Sequence, residues 1–238
     1  AGRKASYLRP WDGACPITEN DKVEPAWQTI GPSAIPINNS SPVPKEMTVE
    51  DINKVREDFK KAAQRADKAG FDIIEIHGAH GYLLHSFFSP LSNQRNDQYG
   101  GSFENRIRFA LEIIADIKSV WPDNKPLFYR LSSIDAPGQG ANLEDNIMLA
   151  KSLKSAGVDV VDCSSGGITG SPVLTKSKIV PGFQVPYSEK IKKDAEISSM
   201  AVGAIISADQ ANEIISNKRA DLVAMGRELL ADTQWVYK

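Results

Sequence analysis

The three histidines of this chain fall within nine positions, at His77, His80 and His85. They follow a short, mostly apolar run, residues 73–76, and Tyr82 lies between the second and the third of them. A run of this kind that ends in glycines and polar side chains is typical of a buried parallel strand opening into a pocket. Imidazoles and phenols hydrogen-bond and transfer protons, so the cluster predicts chemistry at the end of this strand.

Two kinds of chemistry fit the cluster. His77 and His80 are three positions apart across a turn, so both rings can face one point. They could hold a metal ion with His85 as the third ligand, as in a lyase or a hydrolase. They could instead donate two N–H groups to the oxygen of an unsaturated carbonyl compound, while Tyr82 supplies a proton. Residues 77–85 include no acid that could serve as the base of a metal-dependent hydrolase, yet the residues alone leave both interpretations open.

Regular structure is predicted from position 48 onward, after a proline-rich and polar stretch, residues 1–47, that predicts a long loop. A helix should start at Thr48, a good N-cap followed by acidic residues, and end at Gly70. Beyond it, short apolar runs alternate with amphipathic segments. Strands are expected at 71–77, 126–132, 158–163, 200–206 and 221–226. Helices are expected at roughly 102–120, 143–156, 186–195 and 208–218, with another beginning near 228.

This alternation predicts right-handed βαβ units and a parallel sheet. A doubly wound nucleotide-binding domain should open with a strand, G-x-G-x-x-G and a helix, and the sequence has no such segment. A barrel should carry polar residues at the carboxyl ends of successive strands. The sequence has them at His77, Arg130 with Ser132, Ser164 with Ser165, and Gly226 with Arg227. We therefore predict an α/β fold, a (β/α)8 TIM barrel, with residues 1–238 in a single domain, although only five strands can be counted.

The last two predicted strands carry features of a phosphate site. Gly226 and Arg227 stand where a strand passes into a helix, so free backbone N–H groups and a guanidinium could cradle a phosphate. Gly203 lies inside the preceding predicted strand, where glycine usually marks the close approach of a ligand or of another backbone.

Arg130 occupies the middle of a predicted barrel strand. Burying a guanidinium is costly unless an anion meets it. The anion could be a neighbouring carboxylate, Glu75 or Asp162, or the negatively charged pyrimidine edge of a reduced flavin.

Composition excludes several classes of partner. Lys and Arg number 28 against 30 Asp and Glu, so no basic surface favours a nucleic acid or an anionic membrane. No apolar run reaches the roughly 20 residues of a membrane span, and the first residues of the sequence lack the charged, apolar and small-residue regions of a signal peptide. The two cysteines, Cys15 and Cys163, form no disulfide framework. These features predict a cytoplasmic protein without a nucleic-acid or membrane partner.

Three motifs lie close together in the chain: His77-Gly-Ala-His-Gly-Tyr-Leu83, Phe88-Ser-Pro-Leu-Ser-Asn93 and Asp97-Gln-Tyr-Gly-Gly-Ser-Phe-Glu-Asn-Arg106. This stretch resembles the Old Yellow Enzyme family of flavin-dependent NAD(P)H oxidoreductases, and is most similar to its thermophilic-like ene-reductases. Further matches occur in the family's order at 1–5, 31–34, 162–166, 181–184 and 225–229. The resemblance therefore covers essentially the whole chain.

The resemblance implies an FMN-binding (β/α)8 barrel, in which NADPH or NADH reduces the flavin and the flavin reduces the C=C bond of a small-molecule enone. His77 and His80 would hold the carbonyl oxygen and Tyr82 would protonate Cα, with Gly78 and Ala79 lining the substrate site. The resemblance also allows a homo-oligomer. The implied cofactor residues are Arg130 at the flavin pyrimidine edge, Ser164, Ser165 and Gly166 beside the flavin, and Gly203, Gly226 and Arg227 at its phosphate.

Members of this family begin with three further β/α units and continue beyond the last helix. Here the family's third-strand motif is represented by Ala1-Gly-Arg3, and the sequence stops at Lys238 within the expected last helix. We therefore expect strands four to eight of the barrel with their helices, without the three N-terminal units and the C-terminal tail. Two alternatives to an ene-reductase are the metal-dependent lyase or hydrolase using His77, His80 and His85, and a non-catalytic barrel remnant that has lost flavin.

Overall fold

The computed structural model describes residues 2–8, 12–13, 15–17, 21, 25–169 and 179–237; the two ends of the predicted domain, Ala1 and Lys238, lie outside them. The strands are β1 (Ile30–Gly31), β2 (Lys45–Glu46), β3 (Ile74–Gly78), β4 (Leu127–Ser132), β5 (Val160–Ser164), β6 (Ser198–Val202) and β7 (Leu222–Ala224). The helices are α1 (Val49–Lys68), α2 (Leu83–Phe88), α3 (Phe103–Lys118), α4 (Leu143–Ser155), α5 (Val185–Ala195), α6 (Ala208–Ser216) and α7 (Arg227–Ala231), followed by a 3-10 turn, Trp235–Tyr237.

The main sheet confirms the predicted parallel βαβ architecture. Strands β3 to β7 lie side by side in chain order, and every neighbouring pair is parallel. Sequential parallel strands with helices between them are the repeating arrangement of a TIM barrel. A separate two-stranded parallel ribbon, β1 with β2, lies in the proline-rich stretch that the sequence predicted as a loop.

The predicted strand boundaries differ most from the observed ones at β3 and β6. Strand β3 begins at Ile74 rather than at residue 71, because Phe71 is still bonded to the end of α1, its N–H donating to the carbonyl of Ala66. Strand β6 runs from Ser198 to Val202, so Gly203 follows the strand instead of lying inside it.

Short polar side chains fix where the longer helices begin. The hydroxyl of Thr48 accepts the N–H of Asp51, whose carboxylate accepts the N–H of Thr48 in return, and this capping box starts α1 as predicted. Asn142 and Asp145 repeat the box at α4. At the other end of α1, Gly70 adopts a left-handed φ of 82°, which explains the predicted stop there.

Helices cover one face of the sheet and bury its outward-pointing side chains. Neighbouring helices α1, α3, α4 and α5 pack side by side along this face. Beneath them lie fully buried Tyr129 of β4 and an aromatic group from α2 and α3, in which the rings of Phe87 and Phe109 are 4.6 Å apart. Within the described residues, no helix is long and apolar enough to cross a membrane.

The opposite face of the sheet carries polar and charged side chains. The strand register aligns five positions in one row across the sheet, and residues opposite one another in register point to the same face. From β3 to β7 the row reads His77, Arg130, Asp162, Met200 and Leu222. The register therefore places a histidine, an arginine and an aspartate side by side.

Arg130 and Asp162 form an ion pair within this row. The arginine Nε lies 3.1 Å from Asp162 Oδ2, which confirms the neighbouring carboxylate as one partner of the guanidinium. Burial raises the pKa of Asp162 to about 7, the positive charge of Arg130 opposes that rise, and the negative charge of Glu75 adds to it. The Arg130 Nε and the Asp162 Oδ1 atoms are buried without a hydrogen-bond partner in the described structure.

Gly78→Ala should destabilise the protein by about 1–3 kcal/mol, because the added methyl group overpacks the core. A Cβ at Gly78 would lie 2.1 Å from the hydroxyl oxygen of buried Tyr129. Urea denaturation measures the loss, and Gly31→Ala, whose Cβ would meet nothing closer than 3.6 Å, is the matched control. Tyr129→Ala should be less than additive with Gly78→Ala, and strict additivity would contradict the proposed clash.

Asp162→Asn should stabilise the protein more at pH 8 than at pH 5. A carboxyl with a raised folded-state pKa contributes fully below its unfolded pKa of about 3.9, and that contribution is lost as the pH rises through about 7. The difference between the two pH values should be on the order of 2–3 kcal/mol in urea denaturation. Asp194→Asn is the control, since the hydrogen bond from Lys190 lowers the pKa of Asp194 and leaves it ionised at both values. An equal effect of Asp162→Asn at pH 5 and pH 8 would show that the folded-state pKa of Asp162 is not raised.

Candidate active site

The structure brings His77, His80 and Tyr82 together where β3 ends. His77 is the fourth residue of β3, and Tyr82 is the N-cap of α2 after a tight turn. The centroid of the His77 ring is 5.2 Å from that of His80 and 5.4 Å from that of Tyr82. Tyr82 is 37% exposed, and it lines an adjoining pocket. The two imidazoles and the phenol that were predicted from the sequence therefore lie close together in the structure.

The turn between them depends on two successive left-handed residues, His80 with a φ of 58° and Gly81 with a φ of 75°. A second loop crosses at this point, because a Cβ on Gly81 would lie only 2.4 Å from the carbonyl oxygen of Gly167. Ser132 joins the loops, accepting the N–H of His80 at 2.9 Å and donating to the carbonyl of Gly166 at 2.8 Å. Carboxyl ends of neighbouring strands thus hold the histidine turn.

Both site histidines are held in the neutral form. The pKa of His80 is lowered to about 3, chiefly by burial and next by the nearby positive charge of Arg130. The pKa of His77 is lowered for the same two reasons. A neutral imidazole has one N–H donor and one acceptor nitrogen. The Nε2 atom of His80 is 2.6 Å from Ser164 Oγ, so its Nδ1 is the nitrogen left for a ligand.

An apolar pocket of about 370 Å³ adjoins His77 and Tyr82. Its wall is supplied by α1, β1 and the start of α2, through Ile30, Val55, Phe59, Leu83 and Leu84. Gly78 and Ala79, predicted to line the substrate site, are buried, and the Cα of Gly78 faces the ring of Tyr129. The ligand-facing groups in this pocket are therefore the side chains of His77 and Tyr82.

Lys4 is a further residue of the site, and its role was not predicted from the sequence. Its Nζ donates to the carbonyl of His80 at 2.8 Å and lies 5.3 Å from the centroid of the Tyr82 ring. Burial and the neighbouring charge of Arg3 lower its pKa. The only sequence signal was its place in the family-like stretch 1–5, since nothing local connects position 4 with position 80.

The predicted cofactor residues lie at or beyond the carboxyl ends of β5 to β7, except Arg130, which lies inside β4. Ser164 ends β5 but is turned towards His80, and Ser165 donates to the side chain of Gln184 at 2.6 Å. Gly203 has a φ of 117°, and a Cβ there would lie 2.7 Å from the amide nitrogen of Gln184, so protein atoms account for this close approach. Gly166 has a φ of 71° in the loop after β5.

Gly226 and Arg227 lie at the start of α7. Gly226 is the N-cap of α7, with no atom within 4 Å of where a Cβ would be, and the side chain of Arg227 makes no ion pair within the described part of the chain. Free helix N–H groups beside an unpaired guanidinium fit a phosphate. At Arg130, a buried Nε without a hydrogen bond fits an additional acceptor beside Asp162. The residues present thus fit the two polar ends of FMN.

His85 does not join the other two histidines. Its Nδ1 accepts the N–H of Gly81 at 2.8 Å, and its Nε2 lies 2.6 Å from Asp135 Oδ1. Both ring nitrogens are therefore engaged, which removes His85 as a third metal ligand. Among the described residues, no group of three or more histidine, cysteine or acidic side chains could hold a metal ion.

Sequenced relatives match most of this chain. The chain is 50% identical over 216 residues to an NADPH dehydrogenase of Geobacillus thermodenitrificans, which covers 91% of this chain and 62% of the relative. It is 47% identical over 211 residues to an NADPH dehydrogenase of Bacillus subtilis, covering 89% and 61%. The chain thus spans about three fifths of the length of these relatives.

Solved structures show the same architecture. A 2-naphthoyl-CoA reductase superposes with a TM-score of 0.79 at 28% identity, over 86% of this chain and 32% of that one. Morphinone reductase superposes with a TM-score of 0.72 at 26% identity, over 89% and 60%. The family model described as NADH:flavin oxidoreductase / NADH oxidase matches residues 4–238. This chain therefore belongs to the NADH:flavin oxidoreductase / NADH oxidase family, in agreement with the Old Yellow Enzyme resemblance of its histidine motif.

Proposed function

We propose that this chain is the larger part of an FMN-dependent oxidoreductase that uses NADPH or NADH to reduce the C=C bond of α,β-unsaturated carbonyl compounds. The observation that carries the proposal is the pair of neutral imidazoles, His77 and His80, beside the exposed phenol of Tyr82. Residues 1–238 act as one domain in this proposal. A homo-oligomer and a cytoplasmic location stay predictions.

The residues that would hold FMN lie inside β4 and at or beyond the carboxyl ends of β5 to β7. Arg130 would face the pyrimidine edge, Ser164 to Gly166 would line the ring, and Gly203, Gly226 and Arg227 would hold the phosphate. When bound, FMN would supply hydride transfer, from the nicotinamide to the flavin and on to Cβ of the enone. The positive charge of Arg130, only partly offset by Asp162, favours negative charge on a group bound beside it.

The chain's own residues would perform the polar half of the reaction. His77 and His80 would each donate one N–H to the enone oxygen, which stabilises the negative charge that develops there. Because burial keeps both rings neutral, each offers a donor without competing for the proton as an imidazolium would. Tyr82 would then deliver its hydroxyl proton to Cα. The apolar wall of the adjoining pocket would exclude water from the carbon chain of the substrate.

The structure weakens the metal alternative, because the third histidine is bonded on both ring nitrogens to Gly81 and Asp135. The non-catalytic alternative predicts that the polar site persists without flavin. The absorption spectrum and the zinc content of the protein as purified separate the three functions. We expect visible flavin bands that bleach anaerobically with NADPH or NADH and return when an enone is added. Bound zinc without flavin would favour the metal enzyme, and neither group would favour the remnant.

Tyr82→Phe should slow oxidation of the reduced flavin by an enone by about 10²–10⁴-fold, the usual cost of losing a general acid. Reduction by NADPH should remain nearly unchanged, because that half-reaction does not consume the phenolic proton. Stopped-flow absorbance measures both halves, and Tyr187→Phe on α5 is the matched control. Equal slowing of both halves would contradict the role proposed for Tyr82.

A further inference from the structure

Behind the candidate site lies a buried polar pair to which the proposed reaction gives no part. His85 on α2 and Asp135 in the loop after β4 are each 1% exposed. The ring Nε2 of His85 is 2.6 Å from Asp135 Oδ1, and its Nδ1 is 2.8 Å from the backbone nitrogen of Gly81. The pair therefore connects α2 and the β4 loop to the turn that carries His80 and Tyr82.

The hydrogen bonds fix which nitrogen of His85 carries the proton. The backbone N–H of Gly81 can only donate, so His85 Nδ1 must be the acceptor and Nε2 must hold the hydrogen. Nε2 then donates to Asp135, whose second oxygen accepts the hydroxyl of Ser89 at 2.6 Å and the N–H of Ala141 at 2.7 Å. With its acceptor sites used in this way, Asp135 is held in one orientation and selects one tautomer of His85.

The turn needs this acceptor because its backbone is otherwise disfavoured. His80 is a non-glycine residue at a left-handed φ of 58°, a conformation that persists only when its surroundings enforce it. Gly81 follows, and its N–H is buried, so the loss of its partner would leave an unsatisfied donor. The peptide held by His85 thus lies between the two side chains that the proposed reaction uses.

We propose that His85, oriented by Asp135, is a positioning residue that holds the His80–Gly81 turn so that the ring of His80 and the hydroxyl of Tyr82 face the same ligand. The catalytic consequence rests on the proposed ene-reductase function, whereas the hold on the turn does not. The essential feature is an acceptor at the Nδ1 position. The Nε2–H bond to Asp135 places the ring hydrogen on Nε2 and so leaves Nδ1 as the acceptor.

Two substitutions separate these contacts. His85→Asn places an amide oxygen near the Nδ1 position, so it keeps an acceptor for Gly81 and leaves Asp135 without its donor. His85→Gln extends an amide nitrogen towards the Nε2 position, so it keeps a donor for Asp135 and loses the acceptor for Gly81. Ser92→Ala is the control, because it removes a buried hydrogen bond of 2.8 Å to the carbonyl of Ser86 in the same region without touching Gly81.

The two His85 variants should rank in one order by stability and in the opposite order by catalytic rate. His85→Asn should be the less stable of the pair in urea denaturation, since it leaves a buried carboxylate unpaired. His85→Gln should be the slower enzyme, with enone reduction in the holoenzyme reduced by about 10- to 100-fold and the enone KM raised, as expected for a misplaced catalytic group. Ser92→Ala should lose stability and keep its rate. If activity simply followed stability across the three variants, His85 would be structural and the proposal would be wrong.

A second measurement tests the hold on the turn without any reaction. In the holoprotein labelled with ¹⁵N-histidine, the ring shifts of His85 should show the Nε2–H tautomer, and the Gly81 amide should exchange slowly with solvent. Exchange should accelerate in His85→Gln and stay slow in His85→Asn. If enone reduction is absent but these signals hold, the proposed function fails while the positioning stands. An Nδ1–H tautomer, or a rapidly exchanging Gly81 amide in the unaltered protein, would overturn the positioning itself.

Discussion

The candidate site depends on a close crossing of two loops at the carboxyl edge of the sheet. Gly81 and Gly167 approach so closely that a Cβ on either would collide with backbone of the other loop. This crossing requires left-handed backbone at His80 and Gly81, and the hydrogen bonds of Ser132, Lys4 and His85 keep the strained turn in place. A rigid turn is what allows two imidazoles and a phenol to converge, because side chains on a mobile loop would not keep a common orientation.

The second constraint is electrostatic. Arg130 lies in register between His77 and Asp162, so its guanidinium acts on both a base and an acid. Its positive charge helps to keep His77 and His80 neutral, and it opposes the burial that raises the pKa of Asp162. The same row of strand positions therefore sets both the charge state of the proposed donors and the field at the proposed flavin edge.

Periodicity predicted the architecture well, because each helix and strand is specified by local spacing and by its caps. The N-cap at Thr48 and the helix stop at left-handed Gly70 were predicted directly from the sequence. Helix α2 was missed, since its six residues are all buried and show no polar face that periodicity could detect. Gly203 was placed inside a strand because an apolar run continues past the point where pairing stops.

The sequence by itself determined that His77, His80 and Tyr82 share a strand end, because they are close along the chain. It could not assign Lys4 or the His85–Asp135 pair, whose partners are 76 and 50 positions away. Nor could it separate His85 from the other two histidines. The histidines differ in burial and in the groups that bond to each ring nitrogen. These bonds depend on how α2 packs against the loop after β4.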